Sequence, residues 1–244
     1  MGVALFWLAG WELGARLLAQ PILLVGPGTV LIRLAELART GDFWARVAVT
    51  FGGIAAGFGA ATLLGGVLGI LAGIVRPIDW LLSPLVRVLR TVPVFSFIIL
   101  VLLWTDTRGL GAIVSFLMVM PIMYLNVLEG VARRDPALLD MARVFRLPLG
   151  RRFVAIDLPG VWPHFLAACH VGLGLAWKSG ISGEVIGLPA GTIGERLYQA
   201  KLFLSSADLF AWTLAVIALS IAGEKATIAG LDALQRRLAR AWSR

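Results

Sequence analysis

Apolar residues gather along this chain in long uncharged runs instead of alternating with polar ones. Val47 to Val75 is 29 residues without a charge, and Gly109 to Leu128 is another 20. Leu158 to Trp177 is a third run, interrupted only by His164 and His170. Thr91 to Thr105 and Leu209 to Gly223 are shorter, but apolar residues continue each of them past its flanking charges. A helix needs about 20 apolar residues to cross roughly 30 Å of hydrocarbon, so these runs predict transmembrane helices. Val3 to Ala19 is a weaker sixth segment. Its Glu12 and Arg16 stand at i,i+4 and can pair on one helix face, and no basic leader precedes it, so it reads as a retained span. The expected spans are 3–20, 47–75, 83–105, 109–129, 160–185 and 208–231 in one all-α transmembrane domain, 1–244. The polar stretches between them are too short for a core of their own.

Composition sharpens this picture. The chain is 59% hydrophobic and 15% charged, with a mean hydropathy of +0.89. Neither a soluble globule nor a disordered chain accommodates that balance. The net charge of +8 would point to nucleic acid in a soluble protein, whereas in a membrane protein it reads as basic cytoplasmic loops. With the N-terminus inside, thirteen Lys and Arg fall on cytoplasmic segments, among them Arg76, Arg87, Arg90, Arg133, Arg134, Arg151, Arg152 and Arg244. Six fall outside: Arg33, Arg39, Arg46, Arg108, Arg196 and Lys201. Both termini are therefore expected in the cytoplasm. Trp44, Trp80, Trp104, Trp162 and Trp212 lie near span ends, as an interfacial aromatic belt requires. The single cysteine, Cys169, excludes an internal disulfide framework.

Enzymatic signatures are absent from the sequence. Gly172 to Ser179 reads GLGLAWKS, which lacks the glycine before lysine of a phosphate-binding loop and sits in an apolar helix. His164 and His170 are six apart and do not share a helix face, so no metal site is expected. No catalytic constellation is visible, and energy for transport would come from a partner.

Three features carry functional information. Gly53 and Gly57, then Gly65, Gly69 and Gly73, repeat every four residues, the spacing of a close helix–helix seam in lipid. Next, Asp135-Pro136 reads as an N-cap followed by proline at the first helical position. The sequence ALLDMARVF after it places Ala137, Leu138, Met141, Ala142 and Phe145 on one face, and Pro148 and Gly150 are expected to stop that helix. Such a short cytoplasmic helix suits a soluble partner or a headgroup surface equally well. Lastly, Lys178, Ser179, Ser182 and Glu184 put polar groups at membrane depth, either lining a path or reaching toward a helix end.

At the cytoplasmic loop the sequence resembles the permease subunits of binding-protein-dependent ABC importers. Their loop motif is EAA, three residues, Gly, nine residues, then Ile-x-Leu-Pro. Asp140, Met141 and Ala142 stand at EAA, followed by Arg143 and Phe145; Arg146 stands at Gly, Ile156 at Ile, and Leu158-Pro159 at Leu-Pro. Arg146 removes the flexibility of glycine, so the loop is expected to bend differently there. RTVPVFSFIILVLLW (90–104), MPIMYLNVLEGV (120–131) with DPALLDMAR (135–143), and GLGLAWKSGISGEVIGLP (172–189) resemble the nitrate/sulfonate/taurine branch.

The resemblance implies a six-helix permease of the type I importer kind in a bacterial inner membrane, with a coupling helix between spans 4 and 5. It implies two permease copies, as a homodimer or with a near homologue, and two ABC ATP-binding subunits docked on the 133–157 loop. ATP and magnesium would sit in those subunits and no cofactor in this chain. An extracytoplasmic binding protein would deliver a sulfonate-, taurine- or nitrate-like anion or a small vitamin precursor. The alternatives are a self-sufficient secondary transporter or channel, and the coupling subunit of a vitamin importer.

Overall fold

The computed structural model describes residues 2–242, which are helix and connecting turns with no strand among them. Arg244, one of the residues counted for orientation, lies outside the described residues. The helices are α1 (Gly2–Leu18), α2 (Pro27–Ala38), α3 (Gly41–Ile74), α4 (Arg76–Thr91), α5 (Val94–Trp104), α6 (Leu110–Ala132), α7 (Pro136–Val144), α8 (Leu149–Arg152), α9 (Leu158–Gly187), α10 (Ile193–Leu202) and α11 (Ser206–Trp242). A π-helical turn, Phe153–Asp157, joins α8 to α9.

α6 is the centre, packed against α3 on one side and α9 on the other. The α3–α6 seam is parallel: Gly57 meets Ala112, Gly65 meets Met120, Gly69 meets Tyr124 and Gly73 meets Val131. A Cβ at Gly57 would lie 2.2 Å from the Ala112 carbonyl oxygen, and one at Gly69 2.7 Å from that of Tyr124. Backbone thus lies directly against backbone, which gains dispersion contact where lipid supplies no hydrophobic drive. Gly52 and Gly59, off the four-residue register, face open space. α9 runs antiparallel to α6, with Gly187 at Leu110, Gly180 at Ser115, Gly172 at Val119 and His164 against Gly130. Ile54, Phe58, Val119, Met123, Cys169 and Trp177 fill the core between the three helices.

Among the described residues, α3, α6 and the Ser206–Arg237 part of α11 are long and apolar enough to cross a membrane, and α4 with α5 makes a fourth as a bent pair. The expected continuous helix over 83–105 is therefore corrected to two helices meeting at 108°. Pro93 causes the break. It has no N–H to give and drives the preceding residue out of the helical region, and Val92 is extended (φ −71°, ψ 128°). α5 alone has 11 residues, about 16 Å of helix, roughly half the hydrocarbon thickness. α4 lies against the ends of α3 and α6 through Val86 and through Asp79, which accepts a hydrogen bond from the Tyr124 hydroxyl at 3.1 Å.

α9 has 30 residues, and its histidines, prolines and charged groups dilute its apolar character. α1 is an exposed helix in which Arg16 pairs with Glu12 at 2.7 Å, as their spacing predicts. The tryptophans divide. Trp44, Trp80 and Trp104 are exposed as a belt needs, whereas Trp162 and Trp212 are buried, the latter stacked on Phe43 with ring centroids 4.9 Å apart.

Candidate functional site: the α7 loop and the α9 face

α7 begins as its sequence dictates. The Asp135 carboxylate accepts the Ala137 N–H at 2.9 Å, and Pro136 occupies the first turn, where its missing N–H is harmless. The helix stops earlier than Pro148 and Gly150. Arg146 adopts a left-handed conformation (φ 46°); the Leu147 N–H reaches the Ala142 carbonyl at 2.9 Å and the Arg146 N–H reaches that of Arg143 at 3.1 Å. This is the αL helix-stop usually built on glycine. The altered bend expected from Arg146 is thus corrected: the glycine-type turn is present, made by a residue that adopts it at a cost of roughly 1 kcal/mol. Pro148 instead leads into the next helical run, which starts at Leu149.

Of the loop residues, Ala142 is buried while Leu138, Met141, Val144 and Phe145 form an exposed apolar edge; Phe145 is 72% exposed. Asp140 and Arg143 pair with each other at 3.1 Å in solvent. At the far end of the loop Ile156 is buried in the π-turn, and Leu158 and Pro159 open α9. The π-turn is closed by the Leu158 N–H to the Phe153 carbonyl, a widening that comes just before a proline unable to donate to the helix ladder. The two ends of the loop meet. Arg134 pairs with Asp157, Arg152 stands 3.3 Å from the other oxygen of that carboxylate, and the Arg134 Nε donates to the Val131 carbonyl at 2.7 Å.

The four polar residues singled out on α9 separate into two kinds. Lys178 and Ser182, one turn apart, face outward, and the Ser182 hydroxyl donates to the Lys178 carbonyl at 2.7 Å. Ser179 and Glu184 point into the bundle. Ser179 donates to the Leu175 carbonyl at 2.7 Å. Glu184 accepts from the Thr50 hydroxyl at 2.9 Å and from the Gly194 N–H at 3.2 Å, while Thr50 accepts the Ile193 N–H at 3.0 Å. A buried carboxylate of α9 thereby satisfies the start of α10, where orphan N–H groups and the helix dipole favour negative charge.

Around that knot lies a charged rim formed by α2, α3, α10 and α11. Arg33 pairs with Asp208 at 2.6 Å, Arg46 with Glu195 at 2.7 Å, and Arg196 with Asp42 at 2.8 Å. Burial pushes the Glu195 carboxyl up, but the Arg46 guanidinium and the Gly191 N–H outweigh it and hold it below the usual range. The rim sits at the first turn of α3 and the loop neck at its last, so about 50 Å of helix separates them. Asp157 and Thr50 were not singled out by sequence reasoning. Asp157 occupies the free position of Ile-x-Leu-Pro, and Thr50 is one of two hydroxyl residues in the longest apolar run, near its start. Among the described residues no cluster of His, Cys, Asp and Glu could hold a metal.

The described residues thus form a bundle in which several helices are long and apolar enough to cross a membrane, with a tethered polar loop between two of its central helices. Residues 65–240 match the family described as binding-protein-dependent transport system inner membrane component. The chain belongs to that family, the ABC importer permeases, in the nitrate/sulfonate/taurine branch. It is 26% identical over 95% of its length to the "Putative aliphatic sulfonates transport permease protein" of Bacillus subtilis, covering 83% of that relative. It is 26% identical over 93% of its length to the taurine transport system permease protein of Escherichia coli, again covering 83%. The bicarbonate transport system permease protein of Synechococcus elongatus is 27% identical over 60% of this chain and 52% of its own. The family makes this a non-enzymatic inner-membrane transport subunit that works with ATP-binding and substrate-binding subunits.

Proposed function

We propose that this permease imports a small anion of the sulfonate, taurine or nitrate kind, or a small vitamin precursor, as one half of a homodimeric pore with both termini in the cytoplasm. An ATP-binding subunit grips α7 on each copy, and a binding protein presents substrate at the Arg33–Asp208 end. The single observation supporting the docking surface is the edge of Leu138, Met141, Val144 and Phe145, apolar and exposed on a helix whose one buried side chain is Ala142. Asp140 and Arg143, paired only with each other, offer charge at its side.

The outward face of α9 supports the path. Lys178 is exposed on that face beside small residues, and Ser182 lies one turn further on. Relatives named for aliphatic sulfonates and for bicarbonate favour an anion as cargo. Glu184 acts here as a structural carboxylate behind the path wall, because its partners are Thr50 and Gly194. ATP and magnesium belong to the ATP-binding partner.

The test is co-purification. Phe145→Asp places a charge in the middle of the apolar edge and is expected to cut retention of the ATP-binding subunit by roughly tenfold, as loss of an aromatic anchor does. Membrane insertion and thermal stability should stay near wild-type values, since Phe145 is largely exposed in its own chain. Undiminished retention refutes α7 as the grip.

A further inference from the structure

We propose that the Arg134–Asp157–Arg152 cluster is the mechanical link through which movement of α7 reaches the membrane helices, with Asp157 as its positioning residue. The inference rests on the docking reading above and extends it to residues that the family motif does not specify.

α7 itself is weakly attached to the bundle. Its apolar edge faces solvent, and Ala142 is its one buried side chain. The loop leaves α6 at Ala132 and re-enters the helical run at Leu149, so a pull on α7 could be absorbed by the turns at either end. The cluster closes that slack. Arg134 pairs with Asp157, 23 positions away in sequence, and its Nε is held by the Val131 carbonyl in the last turn of α6. Asp157 is the last residue of the π-turn at the head of α9. One ion pair therefore ties the end of α6 to the beginning of α9.

The pair is sheltered enough to hold. The side chains of Arg134 and Asp157 are only 11% and 14% exposed. Ile70 and Ile74 from the end of α3, with Val131, Phe153 and Val161, wall the space around them. The stem of Arg134 runs beside Gly160, 3.5 Å from where a Cβ there would lie, an ordinary van der Waals distance. Limited water keeps the attraction stronger than that of an exposed pair such as Asp140–Arg143. Arg152 supplies a second positive group to the same carboxylate at 3.3 Å, so Asp157 is the shared element and its removal releases both arginines. Displacement of α7 then moves α6 and α9 together, and α9 carries Lys178 and Ser182 on its outward face 21 and 25 residues further along.

The experiment uses the assembled importer, permease with its ATP-binding subunit and binding protein, in proteoliposomes. Asp157→Asn keeps the shape and removes the charge. It should retain the ATP-binding subunit in wild-type amount and keep basal ATP hydrolysis, while uptake and the stimulation of hydrolysis by loaded binding protein fall roughly tenfold, the scale of a lost coupling interaction. Arg134→Gln should do the same, the double variant should be no worse than either single one, and Arg134→Lys, which keeps the charge, should recover most of the stimulation. Normal stimulation in Asp157→Asn overturns the link. So does a parallel loss of retention, hydrolysis and uptake not restored in Arg134→Lys, which would mark the cluster as merely structural. A wild-type chain that fails to retain the ATP-binding subunit overturns the docking reading instead.

Discussion

The two ends of the bundle are held by the same chemistry in opposite ways. At the start of α3, four helices are stitched together by several arginine–carboxylate pairs and by the buried Glu184–Thr50–Gly194 bonds. At its end, a 24-residue loop from Arg134 to Asp157 hangs from one sheltered cluster, and the helix it carries is mostly exposed. Distributed contacts make a region rigid, because any one of them is backed by the others. A single neck leaves a segment that moves as a unit and transmits force only at its base. The difference makes the first end the stiffer one and leaves the second free to shift about its base.

The comparison breaks most visibly at Glu184. Glu184→Ala strands the Gly194 N–H and the Thr50 hydroxyl in a dry interior and is expected to cost about 3 kcal/mol, read as a clear drop in the melting temperature of the purified protein. Glu184→Gln, which still presents an acceptor oxygen, should lose much less. Equal melting of Ala and Gln variants would mean the knot contributes little and the two ends are alike.

A smaller effect of opposite sign is expected at the loop. Arg146→Gly relieves a left-handed residue that the αL stop already requires, and should stabilise the local turn by about 1 kcal/mol. Slower amide exchange at Leu147, whose N–H closes the turn on Ala142, is the measurement. Faster exchange would show that the arginine side chain, not the backbone conformation, holds the turn.

Acid gives the smallest and most selective effect. The folded Glu195 carboxyl titrates below its ordinary range, so its contribution is complete at neutral pH and is lost as pH falls through the carboxylate range toward that lower value. Acid at and below the ordinary carboxylate range should therefore loosen α10 before α7, whose nearby Asp140–Arg143 pair is exposed and worth little. Proteolysis of the loop between α10 and α11, followed from pH 7 downward, reads this order directly. A Glu195→Gln variant should lose that pH dependence.

Much of the site was legible because its causes are local. Asp135-Pro136 is a helix start by side-chain geometry and φ restriction alone, and the i, i+3, i+4 spacing of Ala142 against its neighbours follows from helical period. The register of Gly57, Gly65, Gly69 and Gly73 identified the close seam, although only contact with α6 distinguished them from Gly52 and Gly59. The break at Val92-Pro93 was also written in the sequence, but hydropathy over 83–105 averages across it and conceals a proline. Arg146 misled for a related reason. Residue preference makes glycine the expected occupant of a left-handed position, yet two backbone hydrogen bonds impose that conformation on arginine.

The sequence by itself determined that this chain is a helical membrane protein with a short, capped helix between two of its apolar runs. Run length, capping and period act over a few residues and survive whatever the rest of the chain does. Tertiary structure alone decided which polar groups face out and which are spent inside. Lys178 and Glu184 are six residues apart on one helix, and nothing local distinguishes a cation facing outward from a carboxylate that caps α10. That depends on Thr50 arriving from α3, just as the value of Asp157 depends on Arg134 arriving from α6. Partners brought together by packing across 134 and 23 positions of sequence leave no periodic trace in the chain that carries them.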